Sequence, residues 1–337
     1  MAEDISTLIK KEDGYQDIYI NGKCIHKGWR NCEDRWKKIK PYIAGSQVVM
    51  DVGSHYGYFS QKIAQEYDCV VWSVEGREQR AEIQRRVLEA NKTENIALCQ
   101  HQMKLEDFVH LARLSEGIDT IVMMSVVHYF PREHIAHILW LASKIAPRLI
   151  IEAPSPGESE VANSEMITGF KRFRGDIFER YLGLFYDKVA KIGEVPSPKD
   201  KKTKRFIFRA EMNKIKREKT LGSVGGELSR THTIKWDKGW SIGKKEWIPG
   251  IGVWTTKYFN LIYPSYDYLI RGAAEKYREL MDKGIVPTDM RAWNCLMTPK
   301  GVEVIDYKEK VNIKNYDKIV GQYTVDQIEK EIKSMSK

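Results

Sequence analysis

The sequence predicts an α/β fold in which helices cover a mainly parallel sheet, followed by a smaller α+β module. An apolar run at residues 48–52 leads through a glycine loop into a helical pattern, as in a buried parallel strand. Strand and helix patterns then alternate, and the sequence changes character beyond a basic stretch that ends near residue 219. We therefore expect two domains, residues 1–212 and residues 213–337.

The predicted elements begin with a hairpin, because Asn21-Gly22 is a strong hairpin turn and apolar-rich segments flank it. An antiparallel pair of strands, 187–193 and 205–210, is expected to follow a helical stretch, 169–185. Together with five parallel strands, this pair would complete a seven-stranded sheet. The remaining strands are predicted at 48–52, 69–74, 96–100, 119–125 and 148–152, and the helices at 33–42, 58–67, 77–91 and 132–144.

The loop after the first parallel strand has the features of a ligand-binding turn. Gly53 can adopt a positive φ and leaves the backbone bare, while the next helix begins with free N–H groups. Glu75 ends the neighbouring strand about twenty residues later, where a carboxylate suits a pair of ribose hydroxyls. Gly53 and Gly57 are spaced G-x-x-x-G, which differs from the G-x-G-x-x-G of nicotinamide enzymes.

Residues 51–60 read D-V-G-S-H-Y-G-Y-F-S, which resembles motif I of class I S-adenosylmethionine (SAM) methyltransferases, close to the FkbM-type branch. The resemblance covers roughly residues 15–212. It implies SAM as the cofactor and a Rossmann-like, seven-stranded methyltransferase sheet. It also implies that one set of residues binds the cofactor: Asp51, Gly53, Ser54, Tyr56, Gly57, Glu75 and Ser125.

The loop after the fourth strand, residues 125–130, is expected to face the methyl acceptor. It resembles the S-V-x-H-x-F segment of small-molecule and glycan methyltransferases. The motifs of amino-methylating DNA enzymes and of cytosine-C5 enzymes are absent from it. His128 is a candidate general base for an acceptor hydroxyl, because its ordinary pKa lies near neutrality. The alternative is that His128 contacts the cofactor or shapes the pocket.

An acceptor that is already ionised would need cations rather than a base. Arg30 and Arg35 are the candidate substrate-binding residues, in a G-x-R-x-C-x-x-R-W pattern at residues 28–36. The pattern resembles a segment ahead of motif I in some glycan-modifying methyltransferases. The alternative for each arginine is a surface salt bridge.

The C-terminal part carries a second resemblance. A helical pattern at 266–283 runs into a loop, followed by a hairpin at 298–301 and a strand to residue 308. This arrangement resembles the catalytic loop and metal-binding strand of the protein-kinase and aminoglycoside-kinase superfamily. The resemblance implies Asp289 as a catalytic base, Asn294 and Asp306 as Mg²⁺ ligands, and ATP as phosphoryl donor.

This module departs from the kinase pattern. Pro287 replaces the usual His, and Tyr307-Lys308 replaces Phe-Gly. The region that should hold the donor phosphates is short, with only Lys235 and the glycines at 222–226 as candidates. We therefore expect a reduced, degenerate module similar to a kinase C-lobe. The order of the two parts resembles that of the bifunctional methyltransferase–kinases that terminate bacterial O-antigen chains.

Composition narrows the function classes. The five cysteines form no C-x-x-C pair, and residues 1–14 lack the apolar core of a signal peptide, which favours the cytoplasm. We predict methyl transfer to an oxygen of a sugar, sugar phosphate or other polar acceptor, with a small molecule or glycan as partner. The net charge is +9, and residues 199–219 hold ten Lys or Arg against three acids. The alternatives are therefore an RNA-ribose methyltransferase that binds nucleic acid through this stretch, and an idle SAM-binding scaffold.

Overall fold

The computed structural model shows how the predicted elements assemble. It describes residues 5–10, 12, 14–114, 117–154, 175–197, 203–213, 232–237, 240–244, 250–252, 259–262, 264–282, 286–287, 295–304, 309–310 and 330.

The N-terminal segment forms a helix, a hairpin and a second helix. These are α1 (Ile5–Lys10), β1 (Ile18–Ile20), β2 (Lys23–His26) and α2 (Cys32–Ile39). Asn21 and Gly22 have φ values of 48° and 77°, so both central residues of the turn are left-handed, as a primed hairpin turn requires. The predicted hairpin is confirmed.

The predicted seven-stranded sheet is also confirmed, with the order β5-β4-β3-β6-β7-β9-β8. The five strands from β3 to β7 are parallel, and β9 runs antiparallel to both of its neighbours. The strands are β3 (Val48–Val52), β4 (Val70–Glu75), β5 (Ile96–Gln100), β6 (Thr120–Met123), β7 (Arg148–Ala153), β8 (Lys188–Pro196) and β9 (Lys204–Glu211). Chain progression reverses between β3 and β6, so a ligand-binding crevice is expected at their carboxyl ends.

Helices cover both faces of this sheet. They are α3 (Tyr58–Glu66), α4 (Glu78–Asn91), α5 (Leu105–Leu114), α6 (Arg132–Ile145) and α7 (Gly175–Leu182). Side chains of β3 alternate between the two sides: Met50 lies in the apolar core with α5 and α6, and Val49 lies in the core with α2 and α3. Both strand residues are fully buried, which explains the continuous apolar run.

Neither α1 nor α5 is among the predicted helices. In α5, Leu105, Phe108 and Leu111 recur at three-residue spacing and pack into the core. The Asp107 carboxylate accepts a hydrogen bond from the Lys104 amide at 2.6 Å, which satisfies a backbone donor at the start of the helix.

Beyond the sheet, the predicted helix and the predicted hairpin are both present. The helix is α8 (Ser265–Asp282), and the hairpin joins β14 (Cys295–Thr298) to β15 (Gly301–Val304). β12 (Ile251–Gly252) pairs with β14 and completes a three-stranded sheet. Two smaller pairs are β10 (His232–Asp237) with β11 (Trp240–Lys244), and β13 (Val286–Pro287) with β16 (Glu309–Lys310).

The C-terminal segment is joined to the main sheet at its β5 edge. Leu261 forms an antiparallel bridge with Cys99, and the Ile262 amide donates to the Leu98 carbonyl at 2.9 Å. Phe259 packs edge-on against Trp72, with ring centroids 5.0 Å apart, and both belong to one apolar core. The edge strand therefore pairs with residues from beyond position 213, and a domain boundary at that position remains a prediction.

Across the described residues, no helix is both long enough and apolar enough to cross a lipid bilayer.

Candidate functional site

The glycine loop after β3 is fastened to the neighbouring strand. The amides of Gly53 and Ser54 both donate to the Val74 carbonyl, at 2.8 and 3.1 Å. Gly53 has a φ of 72°, and Gly57, at the start of α3, has a φ of 81°. A Cβ on Gly53 would lie 2.6 Å from Cγ2 of Val126, so glycine is required both by conformation and by space.

Glu75 closes the other side of this loop. Glu75 is 5% exposed, and its two carboxylate oxygens accept hydrogen bonds from the amides of His55 and Arg77, each at 2.8 Å. Burial raises the pKa of this carboxyl, while the two backbone hydrogen bonds act in the opposite direction. Each carboxylate oxygen keeps a further lone pair, so Glu75 can accept hydroxyl groups of a ribose at the carboxyl end of β4. These residues therefore fit the predicted cofactor.

Two non-glycine residues with left-handed backbones flank the reversal point of the sheet. His55 follows β3 with a φ of 60°, and Ser125 follows β6 with a φ of 61°. Such conformations are uncommon outside glycine and concentrate at functional sites. The two predicted site loops therefore carry this strain at the same edge of the sheet.

Asp51 lies beneath the glycine loop in a chain of buried polar groups. Its carboxylate accepts the Ser60 hydroxyl at 2.6 Å, and the Ser60 and Ser73 hydroxyls are 2.9 Å apart. The Gln84 amide donates to Ser73 at 2.7 Å and accepts the Ser54 hydroxyl at 2.8 Å. The chain thus links the strand to the loop. Burial raises the pKa of Asp51 to about 7.

Gln16 supports the loop, although it is not among the predicted site residues. Its side-chain oxygen accepts the amides of Tyr56 and Tyr58, at 3.1 and 3.2 Å, at the first turn of α3. Gln16 is buried and lies just before the hairpin. It is 40 positions away from Tyr56 in the chain. No local pattern signals this contact.

Arg30 and Arg35, the predicted substrate-binding residues, lie together in a buried ion network. Arg30 and Arg35 each donate to the Glu152 carboxylate at 2.7 Å. Arg205, from the basic stretch, contacts the same carboxylate at 3.3 Å and the Ser125 hydroxyl at 3.0 Å. Neither Glu152 nor Arg205 is among the predicted site residues. In the sequence, Glu152 is one residue of a predicted strand, and Arg205 is one of the ten basic residues of the stretch 199–219.

His128 lies on a short 3₁₀ turn, Val127–Tyr129, directly after Ser125 and Val126. Its side chain is buried, and its ring is 4.4 Å from that of Tyr129, which is 64% exposed. Because Val126 contacts Gly53, the loop that carries His128 lies against the glycine loop.

The predicted kinase-like residues fall largely outside the described part of the chain. Asp289, Asn294 and Asp306 lie outside the described residues, as do the glycines at 222–226. Lys235 is a residue of β10, of which only the backbone is described. Among the described residues, no group of three or more His, Cys, Asp or Glu side chains could hold a metal ion.

Comparisons with known proteins gave matches among solved structures. No protein-family model matches the chain, and no curated protein matches it. EvdMO1 is 15% identical with a TM-score of 0.47, over 62% of this chain and 46% of that one, so this chain spans about half of its length. WbdD, described as a bifunctional kinase-methyltransferase, is 14% identical with a TM-score of 0.48, over 96% and 87%.

A third solved structure is the magnesium protoporphyrin IX methyltransferase ChlM from Synechocystis PCC 6803, with SAH bound. It is 18% identical with a TM-score of 0.39, over 54% of this chain and 81% of that one. All three proteins are distant in sequence, so their ligands and activities are facts about those proteins alone.

Proposed function

We propose that this protein is a SAM-dependent methyltransferase that acts on an oxygen of a sugar, a sugar phosphate or another polar acceptor. The observation that carries the proposal is the meeting of two loops at the reversal point of the sheet. One is the glycine loop with Glu75, and the other is the loop with Ser125 and His128. Ligands of open α/β sheets bind at this position.

In this proposal Gly53, Gly57 and Glu75 bind the cofactor, together with the other cofactor-binding residues that the sequence predicts. SAM, when bound, supplies an electrophilic methyl group on a sulfonium. Gly53 presents bare backbone, and Glu75 accepts hydroxyl groups through the lone pairs that His55 and Arg77 do not use. Asp51 reaches the loop through its hydrogen-bonded chain of side chains.

The acceptor-binding residues in this proposal follow from the second loop. His128 takes the proton from an acceptor hydroxyl, which is the role of a general base. Arg30 and Arg35 bind the acceptor near Ser125. In the RNA-ribose alternative, Arg205 would not contribute to the nucleic-acid surface of the basic stretch, because it is buried against Glu152.

For the C-terminal module we propose a reduced kinase-like unit, with Asp289, Asn294 and Asp306 in the roles that the resemblance implies. Its support is the order of elements: an amphipathic helix, α8, precedes the loop, and the β14–β15 hairpin follows it. Weak ATP binding that depends on Mg²⁺ and on Asp306 would support this unit. Strong phosphorylation of a sugar, abolished by Asp289→Asn, would show that it is an active kinase.

The methyltransferase proposal is tested by calorimetry with SAM on the full chain. Glu75→Ala should weaken SAM affinity at least tenfold, whereas Glu82→Ala should not, because Glu82 pairs with Arg85 and Arg86 on α4. Labelled SAM and fractionated cell extract should then yield a methylated small molecule or glycan. In the labelling experiment, SAM binding without any labelled product would favour the idle scaffold, and labelled RNA would favour the nucleic-acid alternative. In calorimetry, equal SAM affinity in the Glu75→Ala and Glu82→Ala variants would contradict the cofactor site.

A further inference from the structure

The segment at residues 259–262 reaches the strand end that carries the candidate cofactor carboxylate. The Gln100 amide, at the end of β5, donates to the Asn260 carbonyl at 3.1 Å. β4 and β5 are parallel neighbours, and their register places Gln100 opposite Glu75. The amide of the next residue, His101, donates to the Glu75 carbonyl at 2.9 Å. Residues from the C-terminal part of the chain therefore lie one strand away from Glu75.

Asn260 has an uncommon backbone conformation at this position. Its φ is 53°, in the left-handed region in which His55 and Ser125 also lie. Such conformations in residues other than glycine concentrate at functional sites, and asparagine is one of the residues that adopt them most readily. The conformation places the side chain of Asn260 on Gln100: Nδ2 donates to the Gln100 carbonyl at 3.3 Å and to Oε1 of the same residue at 3.2 Å.

Gln100 connects Asn260 to the turn after β4. Its Nε2 donates to the Gly76 carbonyl at 3.3 Å. A carbonyl only accepts hydrogen bonds, so the Gln100 amide must present its NH2 group to Gly76 and its oxygen to the side-chain NH2 group of Asn260. Asn260 therefore fixes the orientation of the Gln100 side chain.

The turn that Gln100 contacts holds the cofactor carboxylate. Gly76 precedes Arg77, whose amide donates to the Glu75 carboxylate at 2.8 Å. A Cβ on Gly76 would lie 3.2 Å from the Cα of Gln102, so the turn has little room to shift against the chain that follows β5. Three hydrogen bonds thus lead from Asn260 through Gln100 and the turn to Glu75.

We propose that Asn260 is a positioning residue of the cofactor site: it orients Gln100, which holds the turn at residues 76–77 so that Glu75 stays in place for the ribose hydroxyls. This inference rests on the proposed function and adds a form of regulation of the same site, because the C-terminal segment contributes to cofactor affinity. Such coupling is reciprocal, so bound SAM stabilises the junction between Asn260 and β5 by the same factor.

A second attachment of the C-terminal segment provides the matched control. Arg271 of α8 forms an ion pair with Glu94 at 2.6 Å, and both side chains are exposed. Glu94 precedes β5, so this contact lies at the amino end of the strand, away from Glu75. Arg271→Gln therefore removes a contact of the same junction without touching the path through Gln100.

The test is calorimetry with SAM on the full chain. Asn260→Asp keeps the size of the side chain, but a carboxylate only accepts hydrogen bonds, so the Gln100 NH2 group turns towards it and the Gln100 oxygen then faces the Gly76 carbonyl. SAM affinity should fall about fivefold, which corresponds to the loss of one neutral hydrogen bond. Asn260→Gly, which accepts the left-handed backbone, should also weaken binding, and Arg271→Gln should leave it unchanged.

A double-mutant cycle separates positioning from a purely structural role. In a Glu75→Ala background, Asn260→Asp should have no further effect on SAM affinity, because Asn260 acts through Glu75. If Asn260→Asp weakens SAM affinity by the same factor with and without Glu75, the two residues are independent and the inference is wrong.

Unchanged SAM affinity in both Asn260 variants would overturn the inference and leave the methyltransferase proposal intact, whereas a wild type that does not bind SAM would overturn both. If neither variant folds, hydrogen exchange of the wild type decides. SAM should slow exchange of the Gln100 amide, which donates to Asn260, more than that of the Leu98 amide, which donates to Ser265 of α8. Equal slowing at the two amides would contradict the coupling.

Discussion

Val126 lies directly against Gly53, because a Cβ on that glycine would be 2.6 Å from Cγ2 of Val126. This contact joins the two loops that the sheet brings together at its reversal point. It means that the position of the acceptor loop and that of the cofactor loop depend on each other. Substitutions at this contact should therefore affect both folding and cofactor binding.

The first prediction concerns Gly53→Ala. Gly45 provides a matched control, because its φ is 80° but no atom lies within 4 Å of a Cβ placed there. Gly45→Ala should cost only the backbone strain, about 1–2 kcal/mol of unfolding free energy. Gly53→Ala should cost more, because a clash with Val126 is added. Val126→Ala should recover part of the difference in a double-mutant cycle; equal losses at the two glycines would contradict the contact.

The second prediction concerns the pH dependence of stability at Asp51. Burial raises the pKa of this carboxyl to about 7 in the folded protein, whereas in the unfolded chain it titrates at about 4. Between these two pH values only the folded state holds the proton. The contribution of Asp51 to the unfolding free energy therefore decreases as the pH rises, by at most about 1.4 kcal/mol per pH unit. Asp51→Asn should gain stability relative to wild type between pH 4 and 7.

Denaturant unfolding at several pH values measures this difference. A curve for Asp51→Asn that runs parallel to that of the wild type would show that Asp51 does not titrate in this range in the folded state.

The third prediction concerns His128. If His128 is the general base, His128→Ala should lower turnover by about 10²-fold and leave SAM affinity nearly unchanged. Labelled methyl transfer and calorimetry on the same sample give the two values. A loss confined to SAM affinity would instead place His128 in the cofactor pocket.

The fourth prediction concerns the junction between the C-terminal segment and the sheet. Phe259 is fully buried and packs edge-on against Trp72 of β4. Phe259→Ala should therefore lower the unfolding free energy by about 3–5 kcal/mol, because it leaves a cavity in the core. Leu184→Ala, at a residue that is 71% exposed, is the control and should change little. A small effect at Phe259 would show that this junction contributes little to stability.

The local features of the fold follow from neighbouring residues. Asn21-Gly22 specifies its turn because both residues accept a left-handed backbone, and the fully buried β3 is encoded as an uninterrupted apolar run. The helix α5 was missed, although Leu105 and Phe108 follow its period. Asp289, Asn294 and Asp306 lie outside the described part of the chain, so their kinase-like roles remain a prediction.

The candidate site divides in the same way. The sequence by itself predicted Gly53, Gly57 and Glu75 as candidate cofactor-binding residues, because backbone conformation and position at a strand end are local properties. Only the tertiary structure decided that Arg205 and Glu152 meet Arg30 and Arg35. It also decided that Gln16 caps α3 and that residues near Phe259 cover β5. Contacts between residues 40 to 187 positions apart, from Gln16 with Tyr56 to Trp72 with Phe259, depend on how whole elements pack, which no pattern of neighbouring residues encodes.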